Sequence, residues 1–148
     1  MKTLTVLQQN ILEWAEQRNL LHAENAINQR LKLIEECGEL AKAILENNIN
    51  KQKDGIGDIF VVLVILSKQL NKKIYEIDNN LRDTKDNLFF IEAIIENSSL
   101  EKYSKFIMYF LNQLAKNLNL DITECANIAW NEIKDRTGKT VNGTFIKD

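Results

Sequence analysis

An all-α fold is what this sequence predicts, and three observations carry the prediction. The 148 residues include no proline and only five glycines, which leaves little material for tight hairpins. Apolar residues recur at helical spacing along much of the chain, and the apolar and charged fractions, 45% and 27%, suit a helical globular protein. In the second half, Ser or Asp followed three residues later by Glu marks helix N-termini. A chain of this length buries roughly two thirds of its unfolded surface, so a single domain over residues 1–148 is expected.

The elements follow in order. Leu4, Leu7, Ile11, Trp14 and Ala15 give a first helix that ends before Asn19. A second runs from about Glu24 through Ile27, Leu31, Ile34, Gly38, Ala41 and Leu45, and Asn47-Asn48-Ile49-Asn50 breaks it. The third spans about Lys53 to Leu70; its unbroken apolar run from Ile59 to Leu66 must be buried nearly all round. Helical structure with a break near Asp83 to Asp86 is expected between Ile74 and Asn97. Ser98-Ser99-Leu100-Glu101 has capping-box spacing and opens a helix to about Leu118, and Asp121-Ile122-Thr123-Glu124 opens the last, to about Arg136.

The chain also resembles itself. Ala43-Ile44-Leu45-Glu46-Asn47 recurs as Ala93-Ile94-Ile95-Glu96-Asn97, and Leu70-Asn71-Lys72-Lys73-Ile74-Tyr75-Glu76 as Leu118-Asn119-Leu120-Asp121-Ile122-Thr123-Glu124. A degenerate internal repeat relating 43–76 to 93–124 is the expectation, with short helical sequences matching by chance as the alternative. A true copy would bury Phe89, Phe106 and Phe110 against the first half.

Charge and cysteine usage exclude several functions. Nineteen Lys and Arg against 21 Asp and Glu give no global positive field, so no nucleic-acid partner is expected. Cys37 and Cys125 form no C-x-x-C and suit a reducing compartment. No apolar run reaches the roughly 20 residues a bilayer requires, and the N-terminus lacks a signal core, so a cytoplasmic protein without a membrane partner is expected.

Five carboxylates are the chemical signal. Glu35, Glu36 and Glu39 precede Asp54 and Asp58 on neighbouring, otherwise apolar segments. On helices, Glu36 and Glu39 are i,i+3, while Asp54 and Asp58 are i,i+4, so each helix offers a pair on one face. Such acids often decorate a solvated face. Here Asp58 runs straight into the apolar stretch, and packed acids repel unless a proton or a hard cation such as Mg²⁺ neutralises them. Lys32, one turn before Glu36, fits either a plain ion pair or a phosphate contact; Lys134, Arg136 and Lys139 fit either a helix C-terminus or a triphosphate. Trp14 and Trp130 read as core rather than as base platforms, and His22 has no evident partner.

Lys32-Leu33-Ile34-Glu35-Glu36-Cys37-Gly38-Glu39-Leu40, Asp54-Gly55-Ile56-Gly57-Asp58, Asn131-Glu132-Ile133-Lys134-Asp135-Arg136 and the tail Gly138 to Phe145 resemble the MazG-like branch of the all-α nucleoside triphosphate pyrophosphohydrolases, its phage-type members in particular. That family's signature, E-E-x-x-E followed by E-x-x-D, holds Mg²⁺ and splits a nucleoside triphosphate into monophosphate and pyrophosphate. The resemblance implies a helical bundle with the acid-bearing helix pair at its centre. It implies metal ligands at Glu36, Glu39 and Asp58, with Mn²⁺ as a substitute for Mg²⁺. Glu35 joins these three in the expected catalytic set, as a support or a water-positioning base. The family's second-motif Glu falls on Gly55, and Asp54 one position earlier is the stand-in ligand. Triphosphate contacts are expected from Lys32, Asn131, Lys134, Arg136 and Lys139, with the tail from Gly138 as a lid, and a homo-oligomer, a dimer, as the working form. The alternative is a non-catalytic, nucleotide-sensing interaction protein in which loss of the Glu at position 55 has ended turnover.

Overall fold

The computed structural model describes residues 1–148. Six α-helices account for most of it: α1 (Leu4–Glu16), α2 (Ala26–Leu45), α3 (Ile49–Gln69), α4 (Asn87–Asn97), α5 (Ile107–Asn117) and α6 (Ile122–Ile133). A single hairpin, β1 (Gly138–Val141) and β2 (Thr144–Lys147), closes the chain. The fold is all-α with that one small addition.

α3 is the axis of the bundle. It packs against α1, α2, α5 and α6, and Ile56 and every residue from Ile59 to Leu66 are buried. The uniform apolarity of that run follows from its neighbours, because no side of the helix is left for water. Two glycines set how closely those neighbours approach. A Cβ at Gly57 would lie 2.3 Å from the Cys125 carbonyl oxygen of α6, and one at Gly55 would lie 3.1 Å from the Leu40 side chain of α2. Glycine at both positions therefore lets helices close on α3 from two sides.

Helix ends are written in asparagine. Asn19, Asn47, Asn71 and Asn119 have φ of 55°, 51°, 54° and 56° and follow α1, α2, α3 and α5. After α1 the amides of Asn19 and Leu20 return to the carbonyls of Glu16 and Ala15, and the other three ends repeat this double closure. This is a Schellman ending with Asn in the left-handed position where glycine is commoner, which a glycine-poor chain needs. The opposite ends are capped as their sequences suggest: Thr3, Asn48, Asp86 and Asp121 each accept a backbone N–H from the first turn.

Three local expectations fail for physical reasons. Residues 72–86 form no helix; they run as an irregular strap held to α5 by donation from Gln113 and Lys116 to the Leu81 carbonyl and from Asn117 to the Lys85 carbonyl. Ser98 terminates α4 instead of opening a helix, its hydroxyl donating to Ile95 O, and α5 begins only at Ile107. The tail is a hairpin whose Asn142 (φ 50°) and Gly143 (φ 81°) both take the positive φ of a type I′ turn. The two similar segments share a helix end at Asn71 and Asn119 and then part: Ile74-Tyr75-Glu76 lies in the strap, whereas Ile122-Thr123-Glu124 opens α6. Phe89 and Phe106 are exposed, and Phe110 is half-buried beside the core.

Candidate active site

α2 and α3 are antiparallel neighbours, and their contact brings the two acid segments together. Asp58, one turn after Asp54 on α3, stands between two cavities. The first, about 360 Å³, is lined by Glu39, Lys42, Ala43, Lys51, Asp54, Gly55, Asp58 and Glu132, most of them charged. The second, about 320 Å³, has an apolar wall that includes Trp14, Val61, Val62, Ile65, Ile133 and Phe145, with Lys32, Glu35, Glu36, Asp58 and Arg136 around it.

Electrostatics single out the junction. Burial and the charges of Glu36, Glu132 and Asp54 push the Asp58 carboxyl up to about 7, against a weaker pull from Arg136. Burial likewise raises Glu36, 6% exposed, although Lys32 lies 2.9 Å from its Oε1. Its other oxygen, Oε2, is buried without a hydrogen-bond partner. Burial works to lower the Lys32 pKa, but hydrogen bonds to Glu36 and Glu35 outweigh it and the net shift is upward. Cys37, raised to about 12 by burial and by Glu36, is a core thiol and no nucleophile.

An orphaned carboxylate oxygen and mutually repelling acids are what an oxygen-only cation site looks like before its charge is balanced, so the donors suit a hard divalent ion. As the side chains stand, however, no three acidic, histidine or cysteine groups converge closely enough to share one ion.

Five of the anticipated residues, Lys32, Glu35, Glu36, Asp58 and Arg136, line the aromatic cavity, and Glu39, Asp54 and Asp58 line the polar one. Lys134 falls elsewhere, in a shallow groove with Asn10, Glu13, Gln17 and Trp130. Asn131 and Lys139 are exposed and line neither of the two cavities. Sequence reading missed Glu132, in the last turn of α6 and four residues before Arg136, and the signal was that i,i+4 spacing. It also placed Trp14 in the core alone: the ring is 7% exposed yet lines the aromatic cavity, with Phe145 edge-on at 5.0 Å and the Arg18 guanidinium 4.4 Å over its face. The tail is no loose flap. Thr140 donates to the Arg18 carbonyl, Asn28 to the Asn142 carbonyl, and Arg18 to the Arg136 carbonyl.

The acid pairs of α2 and α3 thus lie in a segment that comparison with known families recognises. Residues 25–81 match the model of the MazG nucleotide pyrophosphohydrolase domain. That segment is similar to a MazG domain. A phage protein is similar to it: an uncharacterized 18.2 kDa protein in the rep-hol intergenic region of Haemophilus phage HP1 (strain HP1c1), 48% identical over 69 residues. That similarity covers 47% of this chain and 42% of the relative, so less than half of the relative's length is matched. No solved structure matches. All six site residues on α2 and α3 fall inside the matched segment, while Glu132, Arg136 and the hairpin lie beyond it. No helix is long and apolar enough to cross a membrane.

Proposed function

We propose that the chain hydrolyses a nucleoside or deoxynucleoside triphosphate to the monophosphate and pyrophosphate, as a cytoplasmic homodimer. The observation that carries this reading is Asp58, an acid raised to about 7 at the junction of a carboxylate-rich cavity and an aromatic one, inside the segment similar to a MazG domain. Glu36, Glu39, Asp54 and Asp58 would hold Mg²⁺, or Mn²⁺ in its place, which supplies charge neutralisation of the phosphate oxygens and a Lewis acid at the α phosphorus.

The chain's own residues do the rest. Trp14, Phe145 and the aliphatic side chains of α3 receive the base and exclude water from that side. Lys32 and Arg136, at the rim of the same cavity, supply positive charge to the phosphates. Glu35, exposed and 3.0 Å from Lys32, is placed to orient a water. Lys134, Asn131 and Lys139 contribute no contact in this reading.

A second reading has an observation of its own. A side chain at Gly55 would crowd Leu40 at 3.1 Å, and the remaining carboxylates do not converge, which suits a chain that binds a nucleotide without turning it over. Pyrophosphate release from a panel of dNTPs and NTPs, with Mg²⁺ and with excess EDTA, decides between them. Metal-dependent release supports hydrolysis. Saturable nucleotide binding with no release from any of the panel supports sensing and overturns the enzyme.

A further inference from the structure

α2 carries two apolar stripes, and the fold uses one of them. Leu33, Cys37, Leu40 and Ala43 are buried toward the core. The other stripe, Ile27, Leu31, Ile34, Gly38, Ala41 and Leu45, advances by four and three residues alternately, which is the spacing of a coiled-coil seam. It faces water: Ile27, Leu31 and Leu45 are 63%, 61% and 84% exposed, and nothing lies within 4 Å of a Cβ built on Gly38. Its exposed area is on the order of 500 Å² per copy, at the upper end of what a monomer leaves in water.

We propose that a second copy of this chain docks on the seam, α2 against α2 and antiparallel, about a two-fold axis beside position 36. The proposal rests on the homodimer reading above and gives it a surface. The size pattern along the stripe is what selects the occupant. Laid antiparallel on itself with its ends aligned, the stripe sets Ile34 opposite Gly38 of the second copy, Leu31 opposite Ala41, and Ile27 opposite Leu45. Each bulky residue near the axis meets a small one, so the two helices approach closely and leave no void. A parallel pairing would place Gly38 on Gly38 and open a hole at the centre. A groove of about 130 Å³ beside Ile27, Arg30, Leu31, Ile34 and Leu100 lies where Leu45 of the second copy arrives. Two copies together withdraw about 1,000 Å² from water, the scale at which specific interfaces begin. Glu35 flanks the seam near the axis and would approach its own counterpart; Lys32, 3.0 Å away in each copy, offsets that repulsion.

Sedimentation velocity of the full chain from micromolar to hundreds of micromolar tests this, with thermal melts as a check on folding. The expected wild-type species is twice the 17.1 kDa chain. Gly38→Leu should weaken association at least 10-fold while the melting temperature holds or rises, since the fold has room for the side chain and leucine favours helix. Ile34→Ala should weaken it as well. Combining Ile34→Ala with Gly38→Leu rebuilds the large-to-small pair in reverse order and should restore association. Leu31→Glu, exposed in the single chain, is a further probe should Gly38→Leu lower the melt. A wild type that stays monomeric throughout overturns both the homodimer and this surface. A dimer indifferent to both Gly38→Leu and Leu31→Glu leaves the homodimer and overturns the surface. Association that does not return in the double variant overturns the antiparallel register.

Discussion

The two cavities that meet at Asp58 are nearly opposite in character. One is walled by Glu39, Asp54, Glu132, Lys42 and Lys51; the other by Trp14, Phe145 and the aliphatic flank of α3. Burial removes water from Asp58, and carboxylates face it from both sides, Glu36 from the aromatic cavity and Asp54 and Glu132 from the polar one. Together they raise this carboxyl to about 7. The lesson is that the unusual acid is made by the boundary, and a test of function should act on the two sides separately.

The largest effect expected lies on the polar side. Glu39→Gln and Asp58→Asn keep shape and remove charge, so turnover should fall by roughly 100- to 1,000-fold or more with the fold retained. Asp54→Asn should cost roughly 10- to 100-fold, the range for a group supporting a ligand. Pyrophosphate release unchanged in Glu39→Gln would erase the distinction between the cavities.

Next comes the aromatic side. Phe145→Ala removes the ring that packs on Trp14 and should raise KM by about 10-fold with kcat little changed, while costing on the order of 2 kcal/mol of stability. A loss in kcat with KM unchanged would mean that this cavity does not hold the base.

The boundary itself makes a pH prediction for the metal-free protein. Asp58 is raised in the fold from 3.8 to about 7, and Glu36 is raised too, so between these limits the folded state binds more protons than the unfolded one. Stability then falls as pH rises from about 4 through 7, with a penalty on the order of 4 kcal/mol that is complete above 7 and absent below about 4. Chemical denaturation at pH 5.5 and pH 8.5 reads it. Equal stability at both, or greater stability at pH 8.5, would show that Asp58 is not perturbed as described.

The smallest effect is a contrast of cations. Arg136→Ala, at the aromatic cavity, should raise KM several-fold, whereas Lys134→Ala, in the groove by Trp130, should change kcat/KM by less than about two-fold. Equal losses would return Lys134 to the site.

The bundle and its acid pair were legible because both rest on short-range spacing. The period of the apolar residues gives α1 to α3, the capping spacing of Asp121 and Glu124 gives α6, and i,i+3 and i,i+4 spacing puts carboxylates on single faces. What failed depends on distant partners. Residues 74–83 carry helix-compatible side chains, but Gln113 and Lys116 of α5 donate to the carbonyls of Asn79 and Leu81, and Asn117 to that of Lys85 just beyond, partners that a helix would have competed for. The Ser98 hydroxyl had two backbone options and took the one behind it. Lys134 and Arg136 look alike in sequence, yet two positions on a helical turn point them into different grooves. The stripe Ile27 to Leu45 traces α2 in the sequence, and only the packing of α3 shows that the core lies on the other side of that helix.

The asparagine helix ends bear on how a protease meets this chain. A protease needs several residues of extended backbone, and reversals doubly closed on a helix offer none. The strap of residues 72–86 is different, since side chains hold it from one side and Lys72, Lys73, Arg82 and Lys85 are exposed along it. Brief digestion with trypsin should therefore cut there first, close to where the MazG match ends at residue 81. Two pieces that remain associated on a sizing column would show that packing on α3 rather than chain continuity unites the acid helices with α5 and α6. First cuts at Lys51 or Lys116 would mean that the reversals are looser than their hydrogen bonds imply.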